Sequence, residues 1–320
     1  MKNKNGVMSV KAIIKKITEQ IQEGIYPGAS LALYRNGQWS EYYLGLADPE
    51  KGEPVEADLV YDLASVSKVV GVATICAFLY TKGELALDRP FNELYPRFAH
   101  EKTTIRELLT HTSGLDPFIP NRDQLDARQL KTALENLQLK EDKSFHYTDV
   151  NFLLLGFWLE DRFRQPLDRL FEELIFTPWK MTETRFGPVE KAVPTVRGVA
   201  SGSVHDPKAR VLGRHAGSAG LFSTVSDLER FLEHYLKDDF ARDLSQNFAR
   251  EEGKTRALGW NLEGDWLDHT GYTGTFIMYN RKRQEAVIFL SNRTYEKDER
   301  AQWILDRNSL MDLIKQECEK

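Results

Sequence analysis

The chain has 320 residues, of which 41% are hydrophobic and 28% are charged, and its formal net charge is −5. This length can bury a substantial core in one large domain or in two lobes. The mixed charge signs leave no basic stripe for nucleic acid and no polybasic segment for a membrane, so the expected partner is a small molecule.

The first elements along the chain are predicted to be a helix and a β-hairpin. A helix is expected over residues 10–23, because isoleucines recur at helical spacing, Ser9 is placed to cap its start and a glycine follows its end. The Asn-Gly pair at 36–37 then separates two β-prone runs, which is the strongest short-range hairpin signal. The sheet is therefore expected to begin with two antiparallel strands.

Helices are predicted for the middle of the chain, and strands return near its end. The expected helices lie at 66–82, 103–110, 126–137, 150–163 and 167–174, then one capped by Ser226 and Asp227, and a last one at about 297–317. The expected later strands lie at 257–262, 274–280 and 285–292.

This order of elements predicts a single domain of the α+β class. One antiparallel sheet would be assembled from both ends of the chain and flanked by the first and last helices. The α/β lobe is expected at about 9–83 and 221–320, and a mainly helical lobe at about 84–220.

Ser65 and Lys68 form the only S-x-x-K motif in the chain, where the helix predicted at 66–82 begins. A lysine in such an apolar run needs a partner, because an unpaired charge is costly to bury. Residues i and i+3 share a helix face, so the amine can lie beside the serine hydroxyl and help to remove its proton. The alternative is that Lys68 extends its amine to solvent and Ser65 only caps the helix, which is preferred for an isolated motif.

Two further motifs favour the catalytic interpretation. Tyr147 and Asp149 stand at the start of the helix predicted at 150–163, and the stretch His269-Thr270-Gly271 leads into a predicted strand. With these motifs in this order, the sequence resembles the serine β-lactamase and penicillin-binding-protein superfamily. It is most similar to the class C-like branch of β-lactamases, D-Ala-D-Ala carboxypeptidases and esterases. That family's fold, a sheet with flanking helices and a helical lobe, agrees with the predicted elements.

The resemblance implies a serine acyl-transfer mechanism. Ser65 would be the acylated nucleophile, with Lys68 and Tyr147 as its proton-transfer partners. A tyrosine that accepts a proton needs positive charge nearby, which Lys68 and His269 are expected to provide.

The third motif is expected to bind the substrate. Gly271 would let its strand approach closely, and the amide of Tyr272 would join that of Ser65 in an oxyanion hole. Thr270 would bind a substrate carboxylate or polar tail.

Two positions depart from the more usual motifs: position 149 from the Y-x-N of the class C-like branch, and position 269 from the K-T-G of the superfamily, although class C-like members often carry H-T-G. Asp149 stands where asparagine is usual, and its carboxylate is expected to hold Lys68 protonated and to repel anionic substrates. His269 replaces the more usual lysine and is expected to titrate near neutrality. The sequence therefore predicts esterase activity, weak β-lactamase activity, and affinity for anionic substrates that falls as pH rises through the titration of His269. It also predicts that Asp149→Asn improves acylation by penicillins.

The remaining polar and aromatic residues of note are interpreted as structural. The polar ones are His111, His205, Asp206 and His215. Their spacing is not that of metal ligands, so no metal site is predicted, and no cofactor is expected. The tryptophans at 158, 179, 260 and 266 are expected in the core or the cleft wall, the last two on the side of His269. Cys76 and Cys318 are expected to be free thiols.

Two classes of function remain open at this point. The first is a serine hydrolase acting on an ester, amide or β-lactam, or on D-Ala-D-Ala peptides if the protein is exported. The second is a non-catalytic binding or assembly protein that keeps the fold, which only the change at Asp149 favours. The N-terminal residues lack the apolar run of a signal peptide and no run of 18 apolar residues occurs, so a cytoplasmic location without a membrane segment is expected.

Overall fold

The computed structural model describes residues 10–250 and 254–319. Its α-helices are α1 (Val10–Gln22), α2 (Thr74–Thr81), α3 (Phe91–Leu94), α4 (Ile105–Thr110), α5 (Ala127–Glu135), α6 (Val150–Phe163), α7 (Leu167–Phe171), α8 (Pro207–Leu212), α9 (Val225–Lys237) and α10 (Arg300–Glu319). Its strands are β1 (Gly28–Arg35), β2 (Gln38–Asp48), β3 (Glu53–Pro54), β4 (Tyr61–Asp62), β5 (Arg185–Phe186), β6 (Leu221–Ser223), β7 (Asn261–Glu263), β8 (Trp266–Thr270), β9 (Phe276–Asn280) and β10 (Glu285–Ser291).

Seven antiparallel strands form the main sheet, in the order β3-β2-β1-β10-β9-β8-β7. Strands β1 and β10 come from opposite ends of the sequence and pair directly, with Leu31 opposite Phe289. Both strands are buried on both faces, which explains their nearly continuous apolar sequences. The predicted α+β fold, with one antiparallel sheet assembled from both ends of the chain, is confirmed.

Helices cover the two faces of this sheet. On one face, Ile17 of α1 and Leu310 of α10 pack with Phe289 in a compact core. On the other face lies a larger core, to which the segment around Ser65 contributes Val66 and Val69. Fully burying a side chain of this kind contributes roughly 1.5–3 kcal/mol, so the second core holds the S-x-x-K segment firmly in place.

Several predicted elements agree closely with the structure. Helix α1 matches the predicted range 10–23, although its proposed cap Ser9 lies outside the described residues. The Asn-Gly turn joins β1 to β2, and both of its residues have positive φ, as a two-residue hairpin requires. The cap of α9 differs from the prediction, because Thr224 rather than Ser226 accepts a hydrogen bond from the Asp227 amide.

The strands near the end of the chain differ from the prediction. The range 257–262 was predicted as a strand, but the paired residues are Asn261–Glu263. Strand β8 was not predicted, because its polar residues Asp268 and His269 resemble a loop in sequence and are nevertheless buried. A three-stranded sheet of β4, β6 and β5 was also missed, since each of its strands has only two or three residues.

The helix predicted at 66–82 is irregular at its start. It begins as a 3₁₀ turn at Ala64–Val66, continues as a π-helical turn at Val69–Ala73 and becomes regular only in α2. The hydroxyl of Thr74 donates to the carbonyl of Val69 at 2.6 Å within this turn. Such π turns inside helices often occur at functional sites.

Residues 64–81 are also the one helical stretch of the described chain that is long and apolar enough to cross a membrane. However, 78% of this stretch is buried inside the protein. A core helix has the same length and composition, so this stretch is weak evidence for a membrane span.

The carboxyl group of Glu229 predicts a pH dependence of stability. Burial, together with the neighbouring charges of Glu41 and Glu233, raises its pKa from 4.5 to about 8. Since the folded protein holds this proton more tightly than the unfolded chain, stability is expected to fall as pH rises between these two values. Glu229→Gln should flatten this decline and raise the thermal midpoint at about pH 9. The same change at exposed Glu190 is the control, and equal pH profiles for parent and Glu229→Gln would contradict the assignment.

Candidate active site

The turn that carries Ser65 is fixed by its neighbours on both sides. The amide of Leu63 donates to the carbonyl of Leu221 at 2.9 Å, and the amide of Ala64 donates to a carboxylate oxygen of Asp62 at 2.8 Å. Ala64 has φ of 45°, in the left-handed region that non-glycine residues rarely adopt. Backbone strain of this kind costs about 1–3 kcal/mol and persists only where the surrounding structure enforces it.

Asp62 connects this turn to a second loop. Its other carboxylate oxygen accepts from the amide of His205 at 2.8 Å. Burial raises the pKa of Asp62 to about 6, and the two backbone donors oppose that rise. This residue was not predicted as part of the site, because its sequence position before Ser65 does not reveal its contact with residue 205.

The ammonium of Lys68 is fully buried and lies at the centre of the site. It donates to the Ser65 hydroxyl at 2.9 Å, to Oδ1 of Asp149 at 2.7 Å and to the Ser218 carbonyl at 2.9 Å. Burial by itself would lower the pKa of Lys68, but attraction to Asp149 and Tyr147 outweighs burial and the pKa is raised. The alternative of an amine extended to solvent is therefore wrong.

Asp149 lies between two lysines. Its Oδ1 accepts from Lys68, and its Oδ2 is 3.0 Å from the ammonium of Lys208 in α8. Burial would raise the pKa of Asp149, but the two ammonium groups outweigh burial and the pKa is lowered. The predicted repulsion of anionic substrates counted the charge of Asp149 but missed Lys208, which follows the His205-Asp206 pair that was interpreted as loop scaffolding.

Tyr147 lies at the surface of the site, with 37% of the residue exposed. Its ring packs on that of His111, with centroids 4.6 Å apart, and is 6.1 Å from the ring of His269. Nδ1 of His111 accepts from the side-chain amide of Asn151 at 3.2 Å. Burial is the main reason that the pKa of His111 lies well below its ordinary value, so a neutral, structural imidazole supports Tyr147.

His269 lies in β8, and the residue is 2% exposed. Neither ring nitrogen has a hydrogen-bond partner among the residues that the structure describes. Burial, with the positive charges of Lys68 and Arg256, keeps the pKa of His269 well below its ordinary value. The prediction that His269 titrates near neutrality is therefore wrong, because it used the pKa of an exposed histidine.

A neutral His269 changes the expected pH dependence. An imidazole that stays uncharged has no positive charge to lose, so the affinity for an anionic ester is expected to show no fall from this residue between about pH 6 and pH 8. Inhibition constants for an anionic ester, measured across this range in parent and His269→Gln, test the point. An increase in the inhibition constant with pH, centred near pH 6.5 in the parent and lost in the variant, would contradict it.

Two arginines supply the positive charge that His269 lacks. The guanidinium of Arg256 is buried, where it donates to the Gly259 carbonyl at 3.1 Å and to the side chain of Asn261. Burial lowers the pKa of Arg256 to about 10, which still leaves it charged at neutral pH. Arg307 reaches from α10 and donates to the Thr270 hydroxyl at 3.1 Å. Neither was predicted, since each approaches the site only through the tertiary fold.

The loop after β8 packs against the residues that precede Ser65. A Cβ atom on Gly271 would lie 2.6 Å from the Leu63 carbonyl and 2.1 Å from the Thr275 hydroxyl, so only glycine fits. That hydroxyl donates to the same Leu63 carbonyl at 3.1 Å. The next residue, Tyr272, is braced by Arg293, which donates to its carbonyl at 2.7 Å. The third motif is thus held beside the serine turn.

The other residues singled out in the sequence lie mostly away from this centre. His215 pairs with Glu160 at 2.6 Å, while the ring of His205 lies 5.4 Å from that of Tyr272. All four tryptophans named above are buried, and Trp266 belongs to the core shared with α1 and α10 rather than to the cleft. Both cysteines are buried thiols, and the described residues hold no cluster of three or more metal-ligating side chains.

The chain was compared with known proteins and solved structures. The sequence profile described as Beta-lactamase matches residues 13–310. A curated protein of Escherichia coli (strain K12), named "Putative D-alanyl-D-alanine carboxypeptidase", is 28% identical, with 87% of this chain and 81% of the relative covered.

Similar folds are found among solved structures of hydrolases. A beta-lactamase/D-alanine carboxypeptidase from Pseudomonas syringae is 20% identical, with a TM-score of 0.73 and coverage of 94% of this chain and 98% of the other. EstCE1, described as a hydrolase with promiscuous acyltransferase activity, is 19% identical, with a TM-score of 0.75 and coverage of 95% and 98%. At this identity the two structures support the fold. The family match over nearly the whole chain shows that this protein belongs to the Beta-lactamase family and is a serine hydrolase of the β-lactamase and penicillin-binding-protein type.

Proposed function

We propose that the protein hydrolyses small esters or amides through an acyl-enzyme on Ser65. The observation that carries this proposal is the hydrogen bond of 2.9 Å from the buried Lys68 ammonium to the Ser65 hydroxyl. A buried cation that contacts a serine hydroxyl is costly to maintain and favours the alkoxide that attacks a carbonyl. A non-catalytic binding protein would gain nothing from this arrangement.

Proton transfer is assigned to Tyr147. Because Asp149 raises the pKa of Lys68, the ammonium acts as a hydrogen-bond donor rather than as the base. The ring centroid of Tyr147 lies 5.2 Å from that ammonium. A positive charge at this distance favours negative charge on the phenol oxygen. Tyr147 acts as the phenolate and takes the Ser65 hydroxyl proton while Oγ bonds to the carbonyl carbon. It returns this proton to the leaving group as the bond between that group and the carbon breaks. In the second half, water gives a proton to Tyr147 as the water oxygen bonds to the acyl carbon, and Oγ of Ser65 takes that proton back as its bond to the acyl carbon breaks.

The oxyanion of each tetrahedral intermediate is assigned to two backbone amides, those of Ser65 and Tyr272. The contact of Gly271 with the residues before Ser65 supports this assignment, because it brings the following amide beside the serine turn. Removing a single side-chain donor from the oxyanion hole of another hydrolase costs about 2.7–4 kcal/mol, so donors in this position have a large effect on rate.

A second candidate is the release of D-alanine from D-Ala-D-Ala peptides. It is favoured by Arg307, whose guanidinium lies beside Thr270, the residue expected to bind a substrate carboxylate. Hydrolysis of p-nitrophenyl acetate, nitrocefin and a D-Ala-D-Ala peptide should be compared in parent and Arg307→Met. We expect ester hydrolysis to be the fastest and to be unchanged in the variant. A peptide rate above the ester rate, lost in Arg307→Met, would favour the carboxypeptidase.

Tyr147→Phe is expected to lower the rate of ester hydrolysis by about 10²–10⁴-fold, because it removes the group that transfers the proton. The fold should be unaffected, since the ring that packs on His111 is kept. Tyr43→Phe, at an exposed hydroxyl on β2, is the matched control. If Tyr147→Phe were as fast as the parent, Lys68 would have to act alone.

The cytoplasmic location and the two lobe boundaries expected from the sequence stay predictions. Peptidoglycan peptides lie outside the cytoplasm, so a cytoplasmic location would favour the ester or amide substrate over the carboxypeptidase.

A further inference from the structure

Lys208 makes a contact that the proposed mechanism does not use. Its side chain is 14% exposed, and its ammonium lies 3.0 Å from Oδ2 of Asp149, the oxygen that Lys68 leaves free. Its only other carboxylate within salt-bridge distance among the described residues is Asp206, at 3.7 Å. Lys208 is therefore mainly the partner of Asp149.

The fold places Lys208 at this position through a fixed connection. Asp62 accepts one hydrogen bond from the amide of Ala64, next to Ser65, and another from the amide of His205, three residues before Lys208. Asp206 then caps α8 by accepting from the amide of Ala209 at 2.8 Å. The loop that ends in Lys208 is thus tied to the turn that carries the nucleophile.

The charged groups around Asp149 sum to one net positive charge when Lys208 is included. Lys68, Lys208 and Arg256 contribute three positive charges, and Asp149 and Asp206 contribute two negative charges. Burial holds the pKa of His269 and that of His111 well below the ordinary value, so neither imidazole adds a charge, and Tyr147 faces Lys68 from the segment before Asp149. An asparagine at position 149 without a lysine at position 208 would leave the same net charge, whereas Asp149 without Lys208 would leave none.

We propose that Lys208 is a positioning residue that cancels the charge of Asp149, so that the cleft accepts anionic substrates despite this carboxylate. The proposal rests on the acyl-enzyme function assigned to Ser65. Lys208 acts through Asp149, since its ammonium pairs with Oδ2 of Asp149 while Oδ1 keeps its hydrogen bond from Lys68. Asp149 and Lys208 together therefore replace a neutral amide by an ion pair.

A double-mutant cycle with two matched esters tests this proposal. The esters are p-nitrophenyl acetate, which is neutral, and p-nitrophenyl hemisuccinate, whose acyl group carries a carboxylate. The readout is the ratio of kcat/KM for the anionic ester to that for the neutral ester. Lys208→Met should lower this ratio roughly fivefold, because the carboxylate of Asp149 then repels the anionic ester without a second cation to offset it. The change is modest because the repulsion between partly solvated charges is weak. Asp149→Asn should raise it by a similar factor, and the double variant should return it to the parent value.

Controls separate this role from a structural one. Lys208→Arg keeps the charge and should keep the ratio, whereas Lys191→Met removes an exposed lysine elsewhere and should change nothing. A purely structural role of Lys208 would slow both esters equally in Lys208→Met and leave the ratio unchanged. An unchanged ratio in Lys208→Met, or a double variant that keeps the ratio of Lys208→Met, would overturn the proposal.

The same double-mutant cycle can be measured by binding alone, without hydrolysis. In a Ser65→Ala background the esters stay intact, and NMR titration gives the ratio of their dissociation constants. We expect the same fivefold change and the same return in the double variant. Absence of any ester hydrolysis by the parent would overturn the proposed function, while the binding ratios would still decide the role of Lys208.

Discussion

Ser65→Ala is expected to abolish hydrolysis, with a loss in kcat on the order of 10⁶-fold, because it removes the hydroxyl oxygen that forms the acyl-enzyme. The fold should remain, since the hydroxyl accepts one hydrogen bond, from Lys68, and that ammonium keeps its bonds to Asp149 and Ser218. Rates with p-nitrophenyl acetate and thermal unfolding should be measured together. The matched control is Ser40→Ala, at an exposed position on β2. Full activity in Ser65→Ala would show that another residue is the nucleophile.

Lys68→Met is expected to have the second largest effect, on both rate and stability. The rate should fall by at least 10²–10⁴-fold, because the donor that stabilises both the serine oxygen and Tyr147 is lost. The methionine keeps most of the buried stem, so the loss of stability should come from Asp149, which is left with Lys208 alone. Kinetics and urea unfolding of the same sample measure the two effects.

A second variant separates the effect of Lys68 on stability from its effect on the rate. Lys68→Met/Asp149→Asn removes the carboxylate as well, so it should recover much of the lost stability but none of the lost rate. A double variant that regained activity would contradict the role given to Lys68. Equal stability of Lys68→Met and the parent would contradict the buried ion pair.

Elements with a strong local signal were predictable from the sequence. Helix α1, the hairpin at the Asn-Gly turn and helix α6 each follow from hydrophobic spacing or turn residues that lie within the element itself. The same holds for the order of the three motifs, whose residues the structure brings together around Lys68. Strand β8 was missed because its buried polar residues depend on packing that no local pattern records.

The electrostatics of the site could not be predicted from residue types. A histidine ordinarily titrates near neutral pH, yet burial and neighbouring cations hold the pKa of His269 well below its ordinary value. Lys208 and Arg307 lie 59 and 158 residues from Asp149 in the sequence, and only the fold places one beside that carboxylate and the other beside Thr270. Their positive charges oppose the repulsion of anions that was expected from Asp149 alone.

Covalent labelling tests the acyl-enzyme most directly. The protein should be treated with a fluorophosphonate, and the adduct located by mass spectrometry of the intact chain and of its peptides. A single adduct on Ser65, absent from Ser65→Ala and strongly slowed in Lys68→Met, is the predicted result. No adduct on the parent, or an adduct on a different residue, would contradict the assignment of Ser65 as the nucleophile.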